Sequence, residues 1–274
     1  MNYFKSHRIN LLRLIVLLIF FHTGQESSGQ INTEKFRKHD SEKGFIFNVS
    51  SGISISRGNS EYTSVDGTLR VDYNQDHYSL FAVGSYDFKS GNSETLVHKG
   101  FGHLRGIVNL SSRLAAEMFL QQEFNEFLLL ADRKVTGAGL RYRLIDLKPG
   151  KDTPEKEGAL RSFAGSGIMY ERELYRLNDS ETNEIVQNPV RITSYLTLDW
   201  KINKQASMWA VAYYQPDISD FSNYRTMVEG GLEVAITKKL FLTTQVYYRF
   251  NRYPVGDVKP YDLIIKNGLR LRLP

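Results

Sequence analysis

Histidine, serine and paired carboxylates are the side chains of this sequence whose spacing could support catalysis or metal binding. His98 and His103 are five residues apart, so in a strand they point to opposite faces and cannot bind one metal ion together. Ser166 lies between Gly165 and Gly167 inside a predicted strand, without the strand-to-helix turn that exposes a nucleophilic serine. These two glycines instead predict space for a bulky neighbour or a bend.

Motifs of the common enzyme classes are absent from the sequence. It contains no P-loop, no dinucleotide-binding glycine fingerprint and no His-Glu-x-x-His zinc motif. It also has no cysteine, which excludes a disulfide framework, thiolate metal sites and a cysteine nucleophile. We therefore predict a non-enzymatic protein without cofactor or metal. One enzymatic alternative stays open, a lipid hydrolase of the outer-membrane phospholipase type, although Ser166 is predicted to face outward and His103 inward.

The composition narrows the class of protein further. The chain has 274 residues, of which 41% are hydrophobic and 24% charged, and its mean hydropathy is −0.36. These values exclude an intrinsically disordered chain and argue against a bundle of membrane-spanning helices. They are compatible with a membrane β-barrel, because a barrel that exposes every second residue to lipid has an ordinary average hydropathy.

The first 29 residues predict a cleaved secretory signal. A basic start precedes an uninterrupted apolar run over residues 14–21, and the expected cleavage lies near Gly29 and Gln30. This segment contains three lysines and arginines and one glutamate, so its removal lowers the net charge from +5 to +3. The basic balance is therefore a weak argument for nucleic acid, and we expect no nucleic-acid partner. Residues 30–43 predict a flexible periplasmic lead-in to a single domain, 44–274.

From Gly44 onward, apolar and polar residues alternate with a period of two. Phe45, Phe47 and Val49, for example, alternate with polar residues such as Asn48. A helix would mix the two sets, whereas a strand separates them onto opposite faces. The pattern predicts twelve strands, at about 44–56, 61–74, 77–88, 98–110, 114–127, 133–146, 159–173, 189–202, 205–214, 223–236, 240–251 and 261–273.

The length of these strands and of their connections indicates how they are arranged. Many are ten to fourteen residues long, whereas strands of globular proteins cluster near about five or six, and membrane-spanning strands need about 9–11. Short turns alternate with longer polar loops such as 89–97 and 174–189, as in outer-membrane barrels. The connections 57–60 and 147–158 break this alternation. We predict an all-β fold, a transmembrane antiparallel β-barrel of about twelve strands.

With the apolar set facing lipid, the opposite phase places many charges in the lumen of the barrel. Because an unpaired charge in a dry interior costs several kcal/mol, these groups should pair across strands. We expect them to form a charge network that stabilises a narrow barrel, with the lining of a solute path as the alternative. The predicted network consists of Arg105, Glu117, Glu123, Arg141, Arg143, Glu171, Arg191, Asp199, Arg225, Glu229, Glu233, Arg249 and Arg270, and Arg70 shares their phase.

Several aromatic residues lie near predicted strand ends, as an interfacial girdle requires. They are Tyr86, Phe88, Tyr170, Tyr213, Tyr248 and Phe250. A girdle favours a membrane barrel over the remaining alternative, a soluble secreted β-barrel that binds a ligand. The expected partners are then outer-membrane lipid, the barrel assembly machinery, periplasmic chaperones and a small polar solute.

Several short motifs also resemble a known family. They are Gln121–Asn125, Gly137–Tyr142 with its glycine-leucine-arginine core, Gly165–Gly167 followed by Tyr170 and Glu171, and Tyr213–Pro216. Their order is similar to that of the domain of unknown function 481 family, and the resemblance spans most of residues 44–273. These are outer-membrane proteins of Gram-negative bacteria, one branch of which is described as salt-induced.

The resemblance implies an exported outer-membrane β-barrel with no established activity. It leaves open a role in envelope integrity, a restricted pore for small solutes and a link to salt or osmotic stress. The sequence departs from such barrels at its end. They usually finish on an aromatic residue that the assembly machinery recognises, whereas this sequence finishes on Leu273 and Pro274.

Overall fold

The structure is a computed structural model that describes residues 43–57, 61–91, 94–147, 157–177, 184–237 and 239–271. The predicted signal segment 1–29 and all but the last residue of the predicted lead-in 30–43 lie outside the described residues, as do parts of the connections 57–60 and 147–158. In the part of the chain that is described, no helix is long and apolar enough to cross a lipid bilayer.

One antiparallel sheet accounts for almost all of the described chain. Twelve of its strands pair in chain order, and β8 pairs separately with the end of β7. The thirteen strands are β1 Gly44–Ser56, β2 Tyr62–Asn74, β3 Tyr78–Gly91, β4 Glu94–Asn109, β5 Leu114–Asn125, β6 Leu130–Leu147, β7 Leu160–Arg176, β8 Glu184–Gln187, β9 Val190–Lys201, β10 Ala206–Pro216, β11 Tyr224–Ala235, β12 Leu240–Asn251 and β13 Tyr261–Leu271. The predicted all-β antiparallel fold is thus confirmed.

The two ends of the sheet differ in their connections. At the end that we call the loop end lie residues 126–129, 217–223 and 252–260, and a single 3-10 turn, Glu126–Leu128, is part of the first of these. The opposite end, the turn end, carries short connections such as 75–77 and 202–205, together with the longer connection 148–159. Because neighbouring strands are antiparallel, successive connections lie at opposite ends of the sheet.

The sheet has an apolar outer face and a buried inner face. Along β5, Met118 and Leu120 point outward and are exposed, whereas Glu117 and Glu123 point inward and are buried. This alternation follows directly from the period of two in the sequence. Within the described residues no segment covers the outer face, which exposes large apolar side chains, and the inner face holds the charged groups.

Contacts across the inner face show that the sheet is strongly curved. Val255, in the connection after β12, shares a buried cluster with Leu130 of β6 and Tyr175 of β7. In a flat sheet β6 and β12 would lie five strand spacings apart, about 24 Å at ~4.8 Å per spacing. The curved sheet therefore encloses an interior. No pairing joins β1 to β13 within the described residues, and closure of the barrel stays a prediction.

Two predicted loops are partly strand. The predicted loop 89–97 is wrong, because β3 continues to Gly91 and β4 begins at Glu94, with a shift of register after Lys89. Polar side chains at a solvated strand tip do not prevent backbone pairing. The predicted loop 174–189 contains β8, which pairs with residues 173–176 of β7. Pro189, which has no N–H to donate, separates β8 from β9.

Candidate functional site

The inner face brings together most of the charged residues predicted to share it. Nine are almost completely buried, and four are only partly buried, toward the turn end. The buried residues are Arg105, Glu117, Glu123, Arg141, Glu171, Arg191, Arg225, Glu229 and Arg249, and the partly buried ones are Arg143, Asp199, Glu233 and Arg270. The predicted charged residues that remain partly exposed therefore lie toward the turn end of the interior.

Near the loop end, three carboxylates and three guanidinium groups form one cluster. We call it the loop-end cluster; it consists of Glu123, Glu171, Glu173, Arg133, Arg191 and Arg225. Each of these residues is at most 5% exposed. With three negative and three positive side chains, the cluster is formally neutral. Because burying a charge is costly unless it is paired, this balance is what permits so complete a burial.

Arg225 joins two of the carboxylates. Its Nη1 donates to Oε1 of Glu173 at 2.6 Å and to Oε2 of Glu171 at 3.1 Å. Its Nη2 donates to Oε2 of Glu173 at 3.0 Å, so the Arg225–Glu173 pair is bidentate, the geometry that a planar guanidinium favours. Tyr175 adds a hydroxyl that donates to Oε2 of Glu173 at 3.1 Å.

Arg133 and Arg191 complete the cluster. Arg133 pairs with Glu123, its Nη2 lies 2.7 Å from Oε1 of Glu171, and its Nε lies 3.1 Å from Oε1 of Glu173. The Nε of Arg191 is 3.7 Å from Oε2 of Glu171. The Nη1 of Arg191 donates to the carbonyl oxygen of Asn223 at 3.1 Å, which ties the cluster to the connection after β10.

Strand register explains why these charges meet. Glu123 is directly opposite Arg133, and Arg133 is directly opposite Glu173, so charges of alternating sign lie side by side on three neighbouring strands. Arg133 and Glu173 are the members that sequence reasoning missed. Both fall at the limits of the predicted strands, whereas β6 begins at Leu130 and β7 ends at Arg176. Applying the inward phase up to and including those limits would have found them.

An apolar cap covers the loop-end cluster. It consists of the buried residues Leu130, Tyr175 and Val255, with Leu128, Leu129, Leu177 and Ile185 packed against them. Gly256 follows Val255 with φ +64°, where a side chain would be strained, and a Cβ atom there would lie 3.0 Å from Leu129. The cavity between cap and cluster measures about 60 Å³, room for a few water molecules.

Farther from the loop end, a hydrogen-bonded chain continues through the interior. Arg105 donates to Oε2 of Glu117 at 3.0 Å, and its Nε donates to Nε2 of His103 at 3.3 Å. The Nδ1 of His103 must then carry the proton that bonds Gln121 Oε1 at 3.2 Å, since Nε2 is an acceptor. Gln121 in turn donates to Glu123 at 3.2 Å, so this chain reaches the loop-end cluster.

Aromatic rings fill the interior where glycines leave space. A Cβ atom at Gly165 would lie 2.2 Å from Tyr195, and one at Gly137 would lie 2.4 Å from Phe119. The predicted role of Gly165, making room for a bulky neighbour, is confirmed. The cavity that remains at this level measures about 50 Å³. Tyr213, predicted for the girdle, is instead buried inside with its ring 5.3 Å from that of Tyr195, because its strand phase is inward.

The turn end of the interior is open by contrast. A cavity of about 510 Å³ is lined by Arg113, Arg141, Arg143 and Phe163 among others, and we call it the turn-end vestibule. The guanidinium of Arg141 lies 3.7 Å from the ring centroid of Phe163. Arg143 pairs with Asp146 at 2.9 Å, with 41% of its side chain exposed. The lining also includes Asp76, so the vestibule carries a net positive charge and is accessible to water.

Ion pairs of the second half of the sheet follow the same division. Glu229 and Arg249, near the middle and the loop end, are buried with a separation of 2.7 Å. Glu233 and Arg270, near the turn end, form a bidentate pair with distances of 2.6 and 2.7 Å but remain partly exposed. Asp199 is likewise only partly buried.

Two exposed carboxylates outside the strands have lowered pKa values, and the physical cause differs between them. Hydrogen bonding and charge attraction from Lys43 lower the pKa of Asp76 at the turn end. At the loop end, the hydroxyl and backbone N–H of Ser222 donate to Asp220 and lower its pKa. The first effect depends mainly on a neighbouring charge and the second on neutral dipoles.

The side chains considered for catalysis do not converge. His103 is buried in the interior at 4% exposure, whereas Ser166 is exposed on the outer face with its Oγ 3.0 Å from that of Ser194. A wall of backbone therefore separates them. In the described ranges, no three His, Asp or Glu side chains are arranged to hold a metal ion.

Sheet and interior together define an all-β protein in which one curved antiparallel sheet carries an apolar outer face and encloses a charged, largely filled interior. The chain belongs to the family described as protein of unknown function, DUF481, whose model matches residues 49–270. This match confirms the resemblance inferred from the sequence motifs. Among curated proteins, none matches the chain.

Solved structures similar to this chain include a porin, the transport unit of an autotransporter and an outer membrane protein. A NanC porin has 10% identity and a TM-score of 0.39, over 84% of this chain and 99% of its own. The transport unit of the autotransporter AIDA-I from Escherichia coli has 12% identity and a TM-score of 0.38, over 98% of each chain. OmpT, an outer membrane protein of Vibrio cholerae, has 10% identity and a TM-score of 0.23, over 83% of this chain and 95% of its own.

Proposed function

We propose that the protein spans the outer membrane of a Gram-negative cell as a non-enzymatic β-barrel with a closed lumen, and that it contributes to envelope integrity. The strands on the main path have 11 to 18 residues, and about 9–11 are enough to cross the hydrocarbon core. The outer face would expose large side chains such as Ile53 at 75% and Met118 at 70% to water. Lipid is the solvent that suits such a face.

The observation that carries the closed lumen is the capped loop-end cluster. Six buried charges that pair with one another fill the interior at one end, and the apolar cap excludes bulk water above them. The residual cavities of about 50 and 60 Å³ hold a few water molecules each. This arrangement supports a barrel that maintains the membrane over one that conducts solutes freely.

A second candidate function rests on the turn-end vestibule. Its volume of about 510 Å³ and its arginines, Arg113, Arg141 and Arg143, favour the entry of a small anionic solute from the turn end. Passage would then require displacement of the cap, which makes this a restricted pore. A link to salt or osmotic stress remains a prediction from the family resemblance.

Conductance of the refolded mature chain in planar lipid bilayers tests the closed lumen. We expect no stepwise conductance from the wild type and conductance steps from Val255→Asp, which introduces a charge into the cap. The matched control is Val108→Asp, an exposed position on the outer face, which should disturb insertion without opening the lumen. Regular conductance steps from the wild type would favour the restricted pore.

Fractionation tests the membrane assignment separately. The protein should be recovered from the outer-membrane fraction only with detergent, and the unheated folded form should migrate anomalously on a gel. Recovery in the soluble fraction without detergent would instead support a soluble β-barrel binder. Fatty-acid release that is lost in Ser166→Ala would support the lipid hydrolase.

A further inference from the structure

The outer face carries a groove that the chain leaves empty. It measures about 710 Å³ and crosses the outer face from β2 to β7. Its floor is formed where Ala82, Gly84 and Gly102 present little or no side chain, and Leu104 and Leu120 rise beside them. The exposed surface within it is almost entirely apolar.

The two floor glycines have open space above them on the outer face. A Cβ atom at Gly84 or Gly102 would meet its nearest neighbour at 3.7 or 4.0 Å, an ordinary van der Waals contact. On the same outer face, a Cβ atom at Gly100 would lie 2.3 Å from the ring of Phe124. Aromatic side chains of the chain itself therefore fill the space at Gly100, whereas the space at Gly84 and Gly102 is available to another molecule.

Two cations lie at the loop-end side of the groove. Lys134 of β6 and Arg172 of β7 are directly opposite each other in register, and both are exposed on the outer face. Like charges at directly opposed positions repel each other. Asp132 lies 3.5 Å from the Nζ of Lys134, and it also accepts a hydrogen bond from Gln122 at 2.9 Å. Among the described residues, Arg172 has no ion-pair partner, so the pair presents a net positive charge.

We propose that this groove binds a membrane lipid that carries a phosphate group. The acyl chain would lie over Gly84 and Gly102, and the phosphate would bridge Lys134 and Arg172. A guanidinium matches phosphate oxygens with two parallel hydrogen bonds, and an ammonium adds a point charge. A bridging anion also removes the repulsion between the two cations. Tyr170, whose hydroxyl donates to Asn188 at 3.2 Å, forms the side of the groove. The inference rests on the proposed membrane-spanning barrel.

Retention of lipid by the purified protein tests the headgroup contact. Detergent-solubilised mature protein is mixed with phosphatidylglycerol or with lipid A, and bound lipid is counted by native mass spectrometry. Neutralising both cations, Lys134→Gln with Arg172→Gln, should weaken retention about thirtyfold. The matched control, Lys204→Gln with Lys239→Gln, removes the same charge from exposed turn-end positions and should leave retention unchanged.

Filling the groove tests the acyl-chain contact without changing charge. Gly102→Leu places a side chain on the floor and should lower retention by about tenfold or more. Gly106→Leu is the matched control on the same strand and face, where a Cβ atom would meet only Leu80 at 3.9 Å, and it should retain lipid as the wild type does. Both leucines suit a lipid-facing surface, so folding should be preserved; unchanged heat-dependent gel migration checks this.

Three results would overturn the proposal. Equal retention by all four variants and the wild type would show that the groove does not select lipid. If a galactolipid, which lacks phosphate, is retained equally well, the proposed phosphate contact with Lys134 and Arg172 is wrong. If inorganic phosphate binds as strongly as the lipid and displaces it, the two cations bind an anion and the groove does not bind the acyl chain. None of these results affects the membrane assignment, because that assignment is tested by the need for detergent.

Discussion

The two ends of the interior hold similar residue types but treat their charges differently. At the loop end, Glu171 and Glu173 are fully buried among arginines beneath the apolar cap. At the turn end, Arg143, which lines the vestibule, and Arg270 keep 41% and 40% of their side chains exposed. Charge pairs therefore serve as packing where water is excluded and as a hydrated lining where it is admitted. This difference in hydration follows from the apolar cap, which covers the charges at the loop end, and from the vestibule, which leaves the turn end open.

The largest expected effect concerns a buried carboxylate of the loop-end cluster. Glu171→Gln leaves three guanidinium groups with two carboxylates at a site with 0% exposure. Removing one partner of a buried ion pair costs about 3–5 kcal/mol, so the free energy of unfolding in detergent should fall by that amount. Denaturant titration followed by far-UV circular dichroism measures it. An unchanged midpoint would mean that water reaches the cluster.

A somewhat smaller effect is expected from the cap. Leu130→Ala removes a side chain that is 2% exposed, and truncating a buried leucine costs about 2–5 kcal/mol, here about 3. Exchange of the amide hydrogens of residues 128–130 should also accelerate, because these residues belong to the cap. The control is Leu110→Ala, at the turn end with 57% exposure. Equal losses of unfolding free energy in Leu130→Ala and Leu110→Ala would show that the cap does not stabilise the fold.

The turn-end pair should be much less sensitive. Glu233→Gln removes the partner of Arg270, but both side chains are partly exposed, and exposed ion pairs contribute little because water solvates the remaining charge. The loss of unfolding free energy should be well below that of Glu171→Gln under identical conditions. If the two variants lose equal stability, the proposed difference in hydration between the ends is wrong.

The smallest expected effect is a difference between Asp76 and Asp220 in how their pKa values respond to salt. The pKa values of Asp76 and Asp220 are both lowered. Each therefore stabilises the fold above the ordinary carboxyl pKa, and this stabilisation is lost as the pH falls through the lowered value. High salt screens the Lys43 charge, so it should raise the pKa of Asp76 and leave that of Asp220 nearly unchanged. Carbon-13 NMR titration of the carboxyl groups at low and high salt measures both.

Sequence periodicity predicted most of the fold because a half-exposed strand records its two faces in alternate residues. The phase of β5 placed Glu117 and Glu123 inward, and both are buried. Strand ends were predicted less well, since backbone pairing continues through polar tips such as Glu94. Arg133 and Glu173, two of the six members of the loop-end cluster, lie at the end positions of their predicted strands and share the inward phase, yet they were not included in the predicted network.

Contacts that depend on curvature could not be predicted from the sequence. The meeting of Val255 with Leu130 joins distant parts of the chain, and no local pattern records it. The partners of individual charges were equally hidden, because the phase gives the face of a residue but not the strand that it reaches across the interior. The groove on the outer face depends on which glycines lack an aromatic neighbour, a property of register.

The position of Val255 has a consequence for biogenesis. Val255 belongs to the last connection of the sheet, between β12 and β13, yet it packs on residues of β6 and β7 that are synthesised much earlier. Contacts between such distant segments form late, because a long loop must be closed first. Until the hairpin of β12 and β13 has folded onto the sheet, we expect the carboxylates and guanidinium groups of the loop-end cluster to be accessible to water. The cap is therefore a marker of completed assembly, and protease resistance at the loop end should appear last.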